Sequence, residues 1–121
     1  MAFKEFQMKK FSLAFVSASV MLAFAALVPA YAAVDVDAAK ALAKKNDCFK
    51  CHAVDKTKKG PSMKKISAKY KGKADGMEKG IKNITTTHTV KLEDGTEEEH
   101  KIIDTKDAAA IKNLVEWMLS Q

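Results

Sequence analysis

The chain has 121 residues, with 21 basic and 15 acidic side chains and a formal net charge of +6 at pH 7. Every basic residue is a lysine. This argues against a nucleic-acid-binding domain, because arginine makes the bidentate contacts to phosphate and guanine that such domains use. We therefore expect no nucleic-acid partner, and the length fits one small domain.

The first 32 residues have the pattern of a secretory signal peptide. Three lysines form a basic start, residues 11–28 carry no charge, and Ala30-Tyr31-Ala32 ends the segment with a small-x-small cleavage pattern. A retained membrane anchor is the alternative, since 18 uncharged residues reach the lower edge of a spanning length. The serine and alanine content of the run favours cleavage after Ala32, export to the periplasm, and no stable membrane insertion of the mature part.

Residues 33–121 form the remaining domain, for which we expect a monomer. Apolar residues at three- and four-residue spacing predict helices, and an alternating stretch rich in β-branched residues predicts strands. The predicted helices cover residues 35–46, 62–70, 74–84 and 104–120, and the predicted strands cover residues 86–92 and 96–103.

The Asp-Gly pair at 94–95 lies between the two predicted strands and indicates a two-residue hairpin turn, because these residue types tolerate positive φ. With that turn Thr89 pairs with His100, and His88 pairs with Lys101. The two histidines are therefore predicted on opposite faces of the hairpin.

Residues 48–52 read Cys-Phe-Lys-Cys-His, the C-x-x-C-H pattern that attaches a c-type haem. Two thiols at this spacing add to the two vinyl groups of a porphyrin, and the histidine that follows can bind its iron. A thioredoxin-like site would need a βαβ context. A zinc site built from both cysteines with His88 and His100 would place eleven residues between its histidines, where a zinc finger has three to five. A disulfide would leave His52 without a role. We therefore predict one covalent haem c.

Charge is segregated along the domain. From residue 40 to residue 82 there are 14 lysines and four acids, whereas from residue 93 to residue 107 there are seven acids and two lysines. The lysine-rich stretch flanks the C-x-x-C-H motif. We predict that it forms a basic face that steers an acidic redox partner toward the haem.

The mature chain resembles the small bacterial class I cytochromes c. The resemblance rests on three features: a first helix that runs into C-x-x-C-H, Gly60-Pro61 before a helix with an aromatic end, and Leu-Val-Glu-Trp-Met-Leu-Ser-Gln at 114–121. It implies an all-α, class I cytochrome c fold around one haem, with the first and last helices packed together. The hairpin of the present sequence would lie before the last helix.

The resemblance also implies residue roles. Cys48 and Cys51 hold the haem, His52 is the proximal iron ligand, and the Pro61 carbonyl accepts a hydrogen bond from Nδ1 of His52 as an outer-shell contact. One-electron transfer, rather than enzymatic catalysis, is the implied function.

The sixth iron ligand departs from the family pattern. The family normally supplies a methionine from a loop before the last helix, but no methionine lies between Met77 and Met118 here. Counted back from the last helix, His100 falls close to the usual methionine position. We therefore rank His100 first and His88 second as the distal ligand.

These residues predict a soluble periplasmic electron carrier with a bis-histidine haem. The alternative is a five-coordinate haem protein that binds or reduces a small ligand, as a sensor or a peroxidase does. The absence of arginine from the sequence disfavours a peroxidase, because no guanidinium is available to polarise a bound peroxide.

Overall fold

Five helices and one short hairpin make up residues 32–121, the part of the chain that the computed structural model describes. The predicted signal peptide therefore lies outside the described residues, except for Ala32. In chain order the elements are α1 (Val36–Lys45), α2 (Cys48–Cys51), α3 (Met63–Tyr70), α4 (Gly76–Thr85), β1 (Thr89–Lys91), β2 (Glu97–Glu99) and α5 (Ala108–Leu119). The expected fold class, helical with a hairpin before the last helix, is confirmed. None of the described helices is long and apolar enough to cross a membrane.

Short polar side chains fix where three of the helices begin. Oδ1 of Asp35 accepts a hydrogen bond from the Ala38 amide at 2.9 Å, and the Ser62 hydroxyl accepts one from the Lys65 amide at 3.1 Å. Asp107 caps α5 in the same way. Side-chain caps of this kind satisfy amides that have no partner inside the helix. The predicted start of the last helix near residue 104 is therefore wrong, because the cap lies at Asp107.

α5 is the helix that the other long helices share, since α1, α3 and α4 each pack against it. The buried residues of α1 are Ala39 and Ala43, and side chains this small let two helix axes approach closely. On α4, a β-carbon at Gly80 would lie 2.6 Å from Cγ1 of Val115, so only glycine fits there without a shift. The buried residues of α5 are Ile111, Leu114, Val115 and Trp117.

Hydrogen bonds also join α5 to the start of α1 and to α3. The Asn113 side chain accepts from the Asp35 amide and donates to the Asp35 carbonyl, both at 2.8 Å. At the C-terminal end of α5, the Ser67 hydroxyl donates to the Leu119 carbonyl at 2.8 Å. The first and last helices are thus joined as the family resemblance implied.

The hairpin has a three-residue loop, not the predicted two-residue turn. The Leu92 amide donates to the Thr96 carbonyl at 2.8 Å, and Gly95 adopts φ +86°. Oδ1 of Asp94 accepts from both the amide and the hydroxyl of Thr96, at 2.9 and 2.6 Å. These bonds favour a type I turn followed by a left-handed glycine, the usual form of a three-residue hairpin loop.

The extra loop residue shifts the strand pairing by one position. The paired residues are Thr89 with Glu99, Val90 with Glu98, and Lys91 with Glu97. The His100 amide also donates to the His88 carbonyl at 2.8 Å. The two histidines are therefore opposite each other and share one face, which corrects the prediction that they point to opposite faces.

Residues 100–104, called the strap below, connect the hairpin to α5. The predicted second strand continued to residue 103, but β2 ends at Glu99 because the strap pairs with other elements. The Ile103 amide donates to the Ile84 carbonyl at 2.7 Å, and the Asp104 amide donates to Oδ1 of the buried Asn46 at 2.9 Å. These bonds tie the strap to the ends of α4 and α1.

Candidate functional site

The two cysteines lie on one short helical turn, α2, directly after α1. Asp47, which precedes the turn, has φ +60°, a conformation that aspartate tolerates better than most residues. Its carboxylate pairs with Lys50 at 3.1 Å and with Lys101 of the strap at 3.2 Å, and these lysines hold the pKa of Asp47 below its usual value. The left-handed conformation of Asp47 lets α2 follow α1 after a turn of only two residues.

Both cysteines are half-buried and carry free thiols. The disulfide that the sequence left open is therefore not formed. Burial raises the pKa of the Cys48 thiol, so this sulfur is neutral at physiological pH. The thiols are thus held within the fold rather than exposed at its surface.

The imidazole of His52 is oriented by the loop that follows it. Its Nδ1 donates to the Pro61 carbonyl at 2.7 Å, which leaves Nε2 unprotonated and available to a metal. Gly60 lies against the same ring, since a β-carbon there would be 2.8 Å from Cε1 and 3.1 Å from Nδ1 of His52. The loop therefore fixes both the protonation and the position of this histidine.

The three histidines of the chain lie close together. The ring centres of His52 and His100 are 6.2 Å apart, and those of His88 and His100 are 5.0 Å apart with the ring planes inclined by 20°. Burial lowers the pKa of His100, which favours the neutral form that binds metals. The Nδ1 atom of His100 is buried and has no hydrogen-bond partner.

These residues line one cavity of about 630 Å³. Cys48, Cys51, His52, His88, His100 and Pro61 all line it. Its apolar lining comes from α3, α4 and α5 and from the hairpin and the strap: Met63, Ile66, Ile84, Leu114 and Met118, with Val90, Leu92, Ile102 and Ile103. The volume and the apolar walls are typical of a site for a cofactor.

Met77, the last methionine before the hairpin, is not among the lining residues. It packs at the margin of the core instead. The structure therefore brings both candidate histidines to the cavity, and leaves that methionine out.

Sequence reasoning missed the residues that hold the strap. Asn46 donates to the Leu42 carbonyl at 3.0 Å and accepts from the Asp104 amide. An asparagine after a helix indicates a helix end, but nothing in the sequence indicates a partner 58 residues away. Lys101 likewise shows no signal of its pairing with Asp47.

Sequence and structure comparisons identify the family. The chain matches the cytochrome c family over residues 36–121. It belongs to that family. The class 1 cytochrome MtoD from Sideroxydans lithotrophicus ES-1 is 60% identical, with a TM-score of 0.70 over 73% of this chain and 97% of that one. Wild-type cytochrome c552 from Nitrosomonas europaea is 31% identical, with a TM-score of 0.54 over 67% of this chain and 96% of that one.

A further match is cytochrome c-552 of Nitrosomonas europaea, 49% identical over 53 residues, which are 44% of this chain and 48% of that protein. The match thus spans about half the length of that relative. Together the relatives make this chain a small class I c-type cytochrome, with one covalently bound haem c.

The residues at the cavity fit that cofactor. Two free thiols, a histidine with an available Nε2 and a second neutral histidine surround an apolar space. Thiols can form the thioether bonds, and neutral imidazoles are haem iron ligands.

We expect Gly60→Ala to push the His52 ring away from the Pro61 carbonyl. Gly60 does not have a positive φ, so alanine meets no backbone strain and the effect comes from the close ring alone. Overpacking of this kind costs about 1–3 kcal/mol. Guanidinium denaturation of the holoprotein, followed by haem absorbance, measures the loss. Lys59→Ala, at the exposed neighbour, is the control, and equal stability of the two variants would contradict the expectation.

Proposed function

We propose that this protein is an exported one-electron carrier whose haem iron is bound by His52 on one side and His100 on the other. Cys48 and Cys51 form the thioether bonds, and Pro61 orients His52 through its carbonyl. The observation that carries the proposal is the 6.2 Å separation of the His52 and His100 ring centres in one cavity.

The separation can be compared with what a shared metal requires. A metal–imidazole nitrogen bond is about 2 Å long, and the ring centre lies roughly 1 Å beyond the nitrogen, so two axial imidazoles have centres roughly 6 Å apart. The observed distance agrees with that value. His88 stays the second candidate. Its Nδ1 donates to the Thr86 carbonyl at 2.9 Å, which leaves Nε2 available as in His52, and its ring lies against that of His100.

The bound haem supplies a reversible one-electron change at its iron. Burial lowers the pKa of His100, Pro61 and Gly60 hold His52 in place, and the strap positions the backbone of His100. Two fixed ligands of the same kind require little rearrangement when the charge of the iron changes. An imidazole in place of the family's methionine lowers the reduction potential, so we expect a potential below that of methionine-ligated relatives.

Changing His100 tests the ligation. We expect His100→Ala to convert the ferric haem from low-spin to high-spin, and His100→Met to raise the midpoint potential, because a thioether favours ferrous iron. Visible spectroscopy and redox titration measure the two effects. His88→Ala is the control and should stay low-spin. A low-spin His100→Ala protein would contradict the proposal, and a high-spin wild type would favour the five-coordinate alternative.

A basic face around the cavity supports an acidic redox partner. The charged residues that line the cavity are five lysines and three acids, an excess of two positive charges: Lys50, Lys65, Lys69, Lys91, Lys101, Asp47, Glu98 and Glu99. Two of the lysines, Lys65 and Lys69, lie one helical turn apart on the exposed side of α3. Positive charge at the mouth of a redox site raises the rate of encounter with an anionic partner.

The face can be probed with hexacyanoferrate(III), an anionic one-electron oxidant. We expect Lys65→Ala/Lys69→Ala to slow oxidation of the ferrous protein roughly twofold to fivefold at low salt, and the difference to shrink as salt screens it. The control is Lys40→Ala/Lys44→Ala, an exposed pair of the same spacing on α1 that belongs to the same lysine-rich stretch but does not line the cavity. Equal slowing by both pairs would indicate a net-charge effect with no preferred face.

Export is the remaining part of the proposal. The basic start, the uncharged run and the small-x-small end of residues 1–32 support it. We expect the mature holoprotein to begin at Ala33. Its mass, measured after expression in a bacterium that attaches haem c, should equal residues 33–121 plus one haem, and a mass that includes residues 1–32 would indicate a retained anchor.

A further inference from the structure

We infer that His88 is a positioning residue that fixes the ring of His100, the proposed distal ligand. The inference rests on the proposed bis-histidine ligation and goes beyond it, because it assigns the second histidine of the hairpin a task other than binding iron. Its basis is the contact between the two rings, the hydrogen bond that holds the His88 ring, and the lack of such a bond at the His100 ring.

The two histidines are joined through their backbones. The three-residue loop at 93–95 sets a register that places His88 opposite His100, and the His100 amide donates to the His88 carbonyl at 2.8 Å. Opposite residues of an antiparallel pair project to the same side of the hairpin. The rings consequently meet with their centres 5.0 Å apart and their planes inclined by 20°.

The ring of His88 is itself held in one orientation. Its Nδ1 donates to the carbonyl of Thr86 at 2.9 Å, a bond to the backbone two residues earlier. This bond restrains rotation of the His88 ring. A ring that is held in this way can restrain another ring stacked on it.

His100 has no comparable restraint of its own. The proximal ring is held through Nδ1 by the Pro61 carbonyl, whereas Nδ1 of His100 is buried without a partner. Outer-shell hydrogen bonds normally fix the orientation of a histidine ligand. On the distal side the stacked ring of His88 therefore supplies the orientation that a hydrogen bond supplies on the proximal side.

Removal of the stacked ring should free His100 to swing away from the iron. We expect His88→Ala to keep a low-spin ferric spectrum, because His100 still binds. Carbon monoxide enters the ferrous protein only when His100 leaves, and the loss of one aromatic contact should speed its binding by about threefold to tenfold. The ferric electron paramagnetic resonance signal should also broaden or shift, since it reports the orientation of the axial rings.

His88→Phe is the conservative variant. It keeps a flat ring but has no nitrogen for iron, so it should restore the slow carbon monoxide binding of the wild type. Thr89→Ala is the control for a general loosening of the hairpin, because Thr89 is the exposed neighbour on the opposite face of β1. It should bind carbon monoxide as the wild type does.

Each outcome decides a different point. If His88→Ala and His88→Phe both match the wild type, or if both bind carbon monoxide equally fast, the positioning role is overturned while the ligation by His100 stands. If His88→Ala and His88→Phe both become high-spin, His88 is itself an iron ligand and the role is again overturned. Failure of the proposed function is recognised separately, by a low-spin spectrum of His100→Ala. Should His88→Ala not mature, His88→Leu takes its place, because leucine fills the space without offering a flat ring, and it should bind carbon monoxide faster than His88→Phe does.

Discussion

The spacing between the His52 and His100 rings depends on two segments that reach the cavity from distant parts of the chain. His52 follows the turn of α2, and its ring is held by the Pro61 carbonyl and by the close backbone of Gly60. His100 begins the strap, which is tied to the ends of α4 and α1 through backbone amides. None of these bonds involves the metal. The polypeptide therefore sets the geometry that the proposed iron ligation needs, and the ligands need not be ordered by the iron alone.

From the small apolar core we expect the domain to depend on its cofactor for stability. The buried apolar residues number eight in the described part of the chain, and two of them are alanines. Domains of this size bury a limited core, and an additional cross-link or cofactor adds substantially to their stability. A porphyrin in the cavity would cover the partly buried apolar side chains that surround it, among them Ile66 and Ile103. Haem attachment and the ordering of the strap are thus expected to stabilise each other.

Local signals in the sequence were sufficient for the haem motif and for most of the helices, because each depends on residues a few positions apart. The turn of α2 and the start of α5 were not predicted. Asp35 and Ser62 are caps at predicted helix starts, and C-x-x-C-H needs only its own five residues. The pairing register was not predictable in the same way. An Asp-Gly pair suits loops of two or three residues. Here the two hydrogen bonds that Thr96 donates to Oδ1 of Asp94 stabilise the three-residue loop. The contact between Asn46 and the strap spans 58 residues and has no local signal at all.

The length of the hairpin loop decides which residue lies opposite His100. Side chains alternate between the two faces of a strand, so a shift of one residue would move one histidine of the pair to the other face. A two-residue turn would place Thr89, not His88, opposite His100, and the stacked ring would be lost. Gly95, with its positive φ, and the Asp94–Thr96 bonds therefore contribute to the environment of the proposed iron ligand from a distance along the chain. A histidine side chain has fewer rotatable bonds than a methionine, so a loop that supplies histidine must position its backbone more closely. A hairpin with a defined register provides that position.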